Sequence, residues 1–261
     1  MTSTPTLEDE IERLHPSFGK INWYPGHMAK ASREIENLRS TVDFVVEVRD
    51  ARAPFSSANS HLKDLLGNKP KLVLLNKADL ACAKSLNSTM HYLRHTRKEN
   101  VMQTSATSKN KSASKVVRAL RDLVPQRFRT LDAMVLIVGV PNVGKSTLIN
   151  SIRNFCMRRE SRSRGSDRAS RKKWGRGVRT GKNPGVTRSV SRIHVSSDPP
   201  ISMLDSPGML LPRIESLRVG LNLAITGAVR DAVVGEDVLV NYLVQVLARS
   251  EDGHRRLFEA L

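Results

Sequence analysis

The sequence predicts an α/β fold, in which a mostly parallel sheet carries helices on both faces and a small α-helical region follows it. Two observations support this prediction. Short apolar runs typical of buried strands alternate with helical patterns from residue 42 to residue 152, as in strand–helix–strand units. After residue 213 the spacing of apolar residues becomes purely helical.

One apolar strand pattern, 133–138, leads directly into the loop Gly139-Val140-Pro141-Asn142-Val143-Gly144-Lys145-Ser146-Thr147. This loop fits G-x-x-x-x-G-K-[ST], whose backbone N–H groups surround nucleotide phosphates. Lys145 supplies positive charge to the β- and γ-phosphates, and the Ser146 hydroxyl can ligate Mg²⁺. A helical pattern starts at Leu148, so its N-terminal dipole faces the phosphates. The residues expected to hold a nucleoside triphosphate here are Asn142, Val143, Gly144, Lys145, Ser146 and Thr147.

The identity of the base is indicated upstream, where Asn76-Lys77-Ala78-Asp79 follows the strand pattern 71–75. A carboxylate at this place accepts hydrogen bonds from N1 and the exocyclic amine of guanine. Adenine has no matching pair of donors, so a buried Asp79 rejects it. These four residues match N-K-x-D, the guanine-specificity motif of GTPases. Thr104-Ser105-Ala106 follows the next strand pattern and resembles the segment that backs the guanine.

The order of these motifs is unusual. Ordinary GTPases have the phosphate loop first and N-K-x-D later, whereas here N-K-x-D precedes the phosphate loop. Gly185-Val186-Thr187 and Asp205-Ser206-Pro207-Gly208 come last, in the places of the switch threonine and the D-x-x-G motif. The sequence therefore resembles a circularly permuted P-loop GTPase. Because binding depends on spatial arrangement, this order is compatible with an intact nucleotide site.

The composition favours a polyanionic partner. The chain has 261 residues and a formal net charge of +18, which favours nucleic acid, with an anionic membrane surface as the alternative. Aromatic residues make up only 4% of the chain, which argues against recognition mainly by base stacking. Cys82 and Cys156 have neither metal-ligand nor disulfide spacing, and this indicates a reducing compartment. No apolar run approaches transmembrane length.

The predicted organisation has three parts: an N-terminal extension (1–21), a permuted GTPase domain (22–212) and a C-terminal helical region (213–261). The extension contains an acidic helical pattern at 6–14, the opposite of a mitochondrial transit peptide. The domain is expected to contain helices at 29–38, 62–66, 86–94 and 116–123, and strands at 42–48, 71–75, near Val101 and at 133–138. In the helical region, apolar residues share one helical face in two sets: Leu217, Leu221, Ala224, Ile225, Ala228 and Ala232, and then Leu239, Leu243, Val246 and Leu247.

The segment 157–182 differs from its surroundings. It holds eleven Lys or Arg against two acidic residues, a net charge of +9 and half of the chain's total. It is also rich in Ser and Gly. We therefore expect it to be disordered until it binds RNA, with a solvated loop as the alternative.

The segment Trp23-Tyr24-Pro25-Gly26-His27-Met28-Ala29-Lys30, the order of the motifs and their wording resemble the ribosome-biogenesis GTPases of the RbgA/YlqF type. Leu211-Pro212-Arg213-Ile214-Glu215-Ser216, followed by Gly220-Leu221-Asn222-Leu223-Ala224, is most similar to their mitochondrial branch. The resemblance covers about 22–247. It implies a GTPase of the mitochondrial matrix that assembles the large ribosomal subunit and contacts its rRNA. The basic segment is longer than the usual link of this family.

The resemblance also implies roles for individual residues. Thr187 closes over Mg²⁺ and the γ-phosphate, Asp205 binds Mg²⁺ through water, and the Gly208 amide senses the γ-phosphate. The guanine is held by Asn76, Lys77, Ala78 and Asp79 and backed by Thr104, Ser105 and Ala106.

The residue that positions the attacking water is left open by the sequence. Many GTPases have a glutamine after D-x-x-G, whereas this chain has Met209, whose thioether offers no useful donor. His27, which the family resemblance also implicates, is one candidate, against the alternative of a turn histidine. The second candidate is K⁺ held by Asn142, which matches the phosphate-loop asparagine of potassium-activated GTPases, against the alternative of a polar loop residue.

Two function classes follow from these observations. One is a GTP-hydrolysing assembly factor that docks on rRNA and is released by turnover. The other is a GTP-dependent RNA-binding scaffold whose hydrolysis is incidental. A permuted GTPase of cytosolic or nucleolar ribosome assembly is a further alternative. Peripheral contact with the inner mitochondrial membrane is expected in addition to the matrix location.

Overall fold

The computed structural model describes residues 26–105, 111–123, 132–164, 190–197, 200–208, 214 and 216–248. The predicted acidic helix at 6–14 and most of the tract at 23–30 lie outside this part of the chain. The helices are α1 (Gly26–Asn37), α2 (Leu62–Leu66), α3 (Ala83–His95), α4 (Lys111–Leu123), α5 (Lys145–Arg164), α6 (Leu217–Ile225), α7 (Asp231–Val234) and α8 (Glu236–Ala248). The strands are β1 (Phe44–Asp50), β2 (Lys71–Asn76), β3 (Asn100–Gln103), β4 (Ala133–Val138), β5 (Ser191–Ser197) and β6 (Pro200–Asp205).

The six strands form one sheet in the order β3-β2-β1-β4-β6-β5. All neighbouring pairs are parallel except β5–β6, in which the edge strand β5 runs antiparallel to β6. The predicted α/β class with a mostly parallel sheet is confirmed. Parallel strands meet with their carboxyl ends at the same edge, where open α/β sheets bind their ligands.

Helices cover both faces of the sheet. On one face, α4 and α5 pack their apolar residues against Phe44, Val46 and Val48 of β1 and against the matching side of β4. On the other face, α1 and α2 pack against Val45 and the far side of β4, while α3 packs on β2 and β3. Strands buried on both faces consist of nearly continuous apolar runs, which is why the sequence identified them.

The three C-terminal helices contact the sheet domain directly. Leu221, Leu223, Val238 and Leu239 belong to the same apolar cluster as β1 and β4. Asn222 of α6 donates a hydrogen bond to the Ser56 hydroxyl at 3.1 Å and accepts one from the Tyr242 hydroxyl at 2.9 Å. The helical region is therefore fixed on the carboxyl side of the sheet.

The boundaries differ from the predictions at two places. The helical pattern predicted to run through Ala228 breaks at Gly227, whose φ of +80° suits glycine. The apolar face predicted for α8 is only partly buried, since Leu239 is covered whereas Leu243 and Val246 are exposed. The residues that α8 buries are Val238, Leu239 and Tyr242.

The expectation of disorder across 157–182 is wrong for its first part, because α5 continues to Arg164. Phe155 and Met157 pack on the core, and Cys156 is buried, which anchors the helix just before the basic residues. Arginine is a good helix former, so the helix propagates beyond its last core contact. Residues 165–182 lie outside the described part of the chain.

No helix among the described residues is long and apolar enough to cross a membrane.

A buried ionic network lies under the α2 side of β1. Both Glu47 carboxylate oxygens accept hydrogen bonds from Arg49 at 2.9 Å, and Glu47 Oε2 also accepts one from Lys71 Nζ at 2.9 Å. Glu99 Oε1 lies 3.3 Å from both cations. Burial alone raises the pKa of the Glu47 carboxyl, but the hydrogen bonds and charges of Arg49 and Lys71 hold that pKa below its usual value. The ion pairs compensate the cost of burying these charges.

We expect Glu47→Gln to lower the free energy of unfolding by about 3 kcal/mol at pH 7, because it leaves the buried Arg49 and the half-buried Lys71 without a full counter-charge. The folded-state pKa of Glu47 is below the unfolded one. The carboxylate therefore contributes stability above about pH 4.3, and this contribution is lost as the pH falls through the folded-state pKa. Urea unfolding at pH 7 and in acid measures both effects.

The matched control is Glu36→Gln, the same chemical change at an exposed position of α1. It should alter the free energy of unfolding by less than about 0.5 kcal/mol. Equal effects of the two substitutions at pH 7 would contradict a stabilising role for the network.

Candidate nucleotide-binding site

The motif residues meet at the carboxyl edge of the sheet. β2 ends at Asn76, β4 leads into the phosphate loop, and β6 ends at Asp205. Asp50, at the end of β1, lies beside Asn76 in the strand register. Motifs separated by up to 129 positions in the chain therefore face one space.

The Asn76 side chain connects the base motif to the phosphate loop. Its Nδ2 donates a hydrogen bond to the Val143 carbonyl at 2.7 Å, and its Oδ1 accepts one from the Thr104 hydroxyl at 3.2 Å. Gly144 lies against the same amide: a Cβ at this position would be 2.5 Å from Asn76 Nδ2, and its φ is +94°. Glycine is therefore required here both for its backbone conformation and for the close approach.

The base motif continues with Lys77 in a left-handed conformation, at φ 60°. Its Nζ lies 3.0 Å from Asp50 Oδ2. The 3₁₀ turn Ala78–Leu80 then presents Asp79, which is exposed. The expectation that Asp79 is buried is wrong for the protein without nucleotide, because no described residue covers this turn.

The guanine-backing segment lies next to this turn. Ala78 N donates a hydrogen bond to the Thr104 carbonyl at 3.1 Å, and Ser105 N donates one to the Ser112 hydroxyl at 3.0 Å. Thr104 is buried. Ala106, the last predicted residue of the segment, lies outside the described residues.

Asp50 and Arg52 were not predicted as site residues. Arg52 forms two hydrogen bonds with the Asp50 carboxylate, at 2.9 and 2.8 Å, and donates a third to the Thr226 carbonyl at 3.1 Å. Burial alone raises the pKa of Asp50, but Arg52 and Lys77 hold it below its usual value. A carboxylate at the carboxyl end of a central parallel strand was the available sequence signal.

The phosphate loop places Lys145 at the start of α5. Its Nζ donates hydrogen bonds to the Gly139 and Val140 carbonyls, both at 3.0 Å, so the loop folds around its own lysine. Lys145 is only 6% exposed, so its ammonium group is buried in the loop. Burial lowers the pKa of Lys145 to about 8, against the attraction of the Asp205 carboxylate.

Two of the predicted magnesium ligands are adjacent. The Ser146 hydroxyl donates a hydrogen bond to Asp205 Oδ2 at 3.0 Å, and Asp205 is fully buried. A hydroxyl and a carboxylate are the hard oxygen donors that Mg²⁺ prefers, so this pair fits the ion. Among the described residues, no group of three or more His, Cys, Asp or Glu side chains is suited to a metal.

The D-x-x-G segment also contacts the phosphate loop. A Cβ added to Gly208 would be 2.6 Å from the Cα of Pro141, so this approach excludes any larger residue. Ser206, within the same segment, donates a hydrogen bond to the Ile137 carbonyl at 2.6 Å. The Gly208 backbone is thus held where the phosphate loop turns.

Asn142 points toward the helical region. It has a φ of +58°, and its Nδ2 donates a hydrogen bond to the Gly227 carbonyl at 2.7 Å. His27 is the second residue of α1, on the helix instead of in the predicted turn. Thr187 and Met209 lie outside the described residues, as do Gly185 and Val186. Thr147 follows Ser146 in the first turn of α5.

Comparison with known proteins identifies the family of this chain. The protein family described as 50S ribosome-binding GTPase matches residues 134–252. Mitochondrial ribosome-associated GTPase 1 of Mus musculus is 40% identical over 233 residues, which is 87% of this chain and 67% of the relative. Ribosome biogenesis GTPase A of Bacillus licheniformis is 36% identical over 84% of this chain and 72% of its own.

The fold agrees with these relatives. The crystal structure of GNP-bound YlqF from T. maritima is 28% identical and superposes with a TM-score of 0.58, over 85% of this chain and 76% of that one. The guanine motif precedes the phosphate loop in the sequence, yet the two are bonded through Asn76 in the structure. The chain belongs to the RbgA/YlqF family of circularly permuted ribosome-biogenesis GTPases.

Proposed function

We propose that this protein is a GTP-hydrolysing assembly factor that binds the large ribosomal subunit through its rRNA and promotes its maturation in mitochondria. The observation that carries the proposal is the hydrogen bond from Asn76 to the Val143 carbonyl, which joins the base motif to the phosphate loop. The names of the mouse and Bacillus relatives support the ribosomal partner, and the mouse name supports the mitochondrion. Within mitochondria, we propose that the protein is in the matrix and that it contacts the inner membrane peripherally.

Guanine recognition falls to two neighbouring segments. Asp79 accepts hydrogen bonds from guanine, and its exposure leaves the carboxylate accessible to the base. Lys77 is fixed by Asp50, so its aliphatic part can cover one side of the ring. Thr104 and Asn76 hold the two segments in register. The residues assigned to the base are Asn76, Lys77, Ala78, Asp79, Thr104, Ser105 and Ala106.

The phosphates are assigned to Asn142, Val143, Gly144, Lys145, Ser146, Thr147 and Gly208. Lys145 exchanges its two carbonyl partners for phosphate oxygens when GTP enters, because a buried ammonium needs acceptors in either state. Ser146, Asp205 and Thr187 would hold Mg²⁺. Bound there, the ion neutralises charge that develops on the β- and γ-phosphate oxygens.

We place the nucleotide site in a domain spanning 22–212, which follows an N-terminal extension at 1–21. The helical region at 213–261 is proposed to sense whether the site holds GTP or GDP. Two carbonyls of the turn after α6 accept hydrogen bonds from the nucleotide site: that of Thr226 from Arg52 and that of Gly227 from Asn142. Arg52 leads through Asp50 to Lys77 on the base side. One turn is thus connected to both ends of the nucleotide site.

Water activation is assigned to His27 or to K⁺ held by Asn142. Met209 has no donor for water, so another group must position it. The Asn142 amide uses its nitrogen for the Gly227 carbonyl, and its oxygen is the atom that K⁺ would require. The two candidates predict different responses to cations.

The central test measures GTP hydrolysis with and without purified large ribosomal subunits. An assembly factor driven by turnover should be strongly accelerated by the subunit, and its release should require hydrolysis. A GTP-dependent RNA-binding scaffold would bind subunits without acceleration. Imaging the full-length protein in cells separates mitochondrial from cytosolic or nucleolar assembly.

We expect Asp79→Asn to weaken GTP binding by roughly 100-fold or more and to favour xanthosine triphosphate, because the amide can donate to the xanthine carbonyl. Titration with fluorescent nucleotides measures both affinities. The control is Asp64→Asn, the same change at an exposed position of α2, which should leave GTP preferred. A variant that still prefers GTP over xanthosine triphosphate would refute the base assignment. If the base assignment holds, binding of the Asp79→Asn variant to large subunits should depend on xanthosine triphosphate instead of GTP.

We expect His27→Ala to keep GTP affinity near wild type and to reduce subunit-stimulated hydrolysis by on the order of 10²-fold, the usual loss for one transition-state donor. Single-turnover assays with subunits measure the rate. His91→Ala, an exposed histidine of α3, is the control and should have no effect.

Asn142→Ala tests the second candidate for water activation, a K⁺ ion held by Asn142. If K⁺ positions charge at the phosphates, wild type should hydrolyse GTP faster in K⁺ than in Na⁺, and the variant should lose that difference. Equal rates in the two salts for wild type would eliminate the K⁺ assignment.

A further inference from the structure

A groove of about 850 Å³ lies between α2 and α3, on the outer face of β1. The helix on one of its sides, α2, has only five residues. None of the residues assigned to the nucleotide lines it. Its lining includes Lys69 and Lys71, Phe55, and Val219 of α6. We call it the α2–α3 groove.

The groove is strongly basic. Its lining includes Arg49, Lys63, Lys69, Lys71 and Arg97, against a single acidic residue, Glu99. Arg49 and Lys71 are neutralised by Glu99, which also lines the groove, and by the buried Glu47, which does not. Within the described part of the chain, Lys63, Lys69 and Arg97 have no ion-pair partner. The groove therefore presents three uncompensated positive charges.

The groove also offers contacts for groups other than phosphate. Phe55 at its rim is 54% exposed, and its ring meets Tyr92 edge to face, with centroids 5.8 Å apart. Cations for phosphates and an aromatic ring for a base are contacts that unpaired RNA uses.

We propose that the α2–α3 groove binds an unpaired stretch of RNA, with phosphates on Lys63, Lys69 and Arg97 and a base against Phe55. This rests on the proposed function, since the large subunit would supply the RNA. The net charge of +18 favours RNA over a cationic partner. A concave site favours a ligand that enters it over the flat surface of a membrane.

The test compares two triple variants of the full chain. In K63A/K69A/R97A the groove loses its three uncompensated charges. In K115A/R118A/R230A the same charge is removed from exposed positions on α4 and at the N-cap of α7, none of which lines the groove. Binding of a fluorescent single-stranded RNA of about 12 nucleotides is measured against salt concentration. GTP affinity and circular dichroism verify that both proteins are folded.

The groove variant should lower the slope of log K against log[salt] by about two to three units, because each lost phosphate contact removes about one unit. The control variant should change the slope by less than about one unit. Phe55→Ala, which removes no charge, should weaken binding about tenfold. Its effect on a fully paired RNA of equal charge should be smaller, since paired bases are not available for stacking.

Equal slopes for the two triple variants, or absence of RNA binding by the wild type, would overturn the proposal. Displacement of the RNA by polyglutamate at equal charge, together with an unaffected Phe55→Ala, would overturn it in favour of an acidic polypeptide. Pelleting with large subunits separates this proposal from the proposed function. Suppose that the groove variant loses short-RNA binding as expected, but the wild type neither binds large subunits nor hydrolyses GTP faster in their presence. That result refutes the ribosomal role and leaves the proposal of an RNA-binding groove standing.

Discussion

The nucleotide site depends on one buried side chain, that of Asn76. Its amide bonds the phosphate loop through the Val143 carbonyl and the guanine-backing segment through Thr104. A buried amide of this kind stabilises only if its polar atoms are satisfied, so all three segments must be in place together. Gly144 is part of the same constraint, because a side chain there would displace Asn76. The permuted chain order does not disturb this arrangement, since the carboxyl ends of β2, β3 and β4 meet at one edge whichever strand comes first.

Permutation does change what is connected to the site. The chain leaves the D-x-x-G segment at Gly208 and enters the helical region within a few residues. That region returns to the site through the turn after α6, whose Thr226 and Gly227 carbonyls accept bonds from Arg52 and Asn142. Asn222 adds a further contact to the loop after β1. Covalent linkage at one end and hydrogen bonds at the other are the contacts behind our proposal that the helical region reads the state of the nucleotide site.

The parts of the site that were predictable are contiguous in the sequence. The phosphate loop and N-K-x-D are each defined by a few neighbouring residues whose backbone does the work, and the apolar strands that precede them are unmistakable. The position of Asp50 at the end of a strand was a usable signal, but its pairing with Lys77 and the bond from Arg52 to Thr226 join residues remote in sequence and were not predictable. The hairpin of β5 and β6 was missed for another reason: β5 is an edge strand with alternating exposure and several polar residues. The continuation of α5 into the basic segment reflects helix propagation from a buried anchor, which composition alone does not reveal.

The two faces of the sheet are stabilised differently. Helices of 13 and 20 residues, α4 and α5, cover one face with apolar side chains. On the other face α2 has only five residues, and the ionic network of Glu47, Arg49, Lys71 and Glu99 adds charged contacts beside the apolar ones. A buried ionic network is in general no more stabilising than apolar packing of the same volume. Arg49, Lys71 and Glu99 of this network line the basic groove, and Glu47, which does not line it, completes their charge balance. They therefore give the proposed RNA site a polar surface beside Lys63, Lys69 and Arg97, where an apolar surface would disfavour a hydrated anionic ligand.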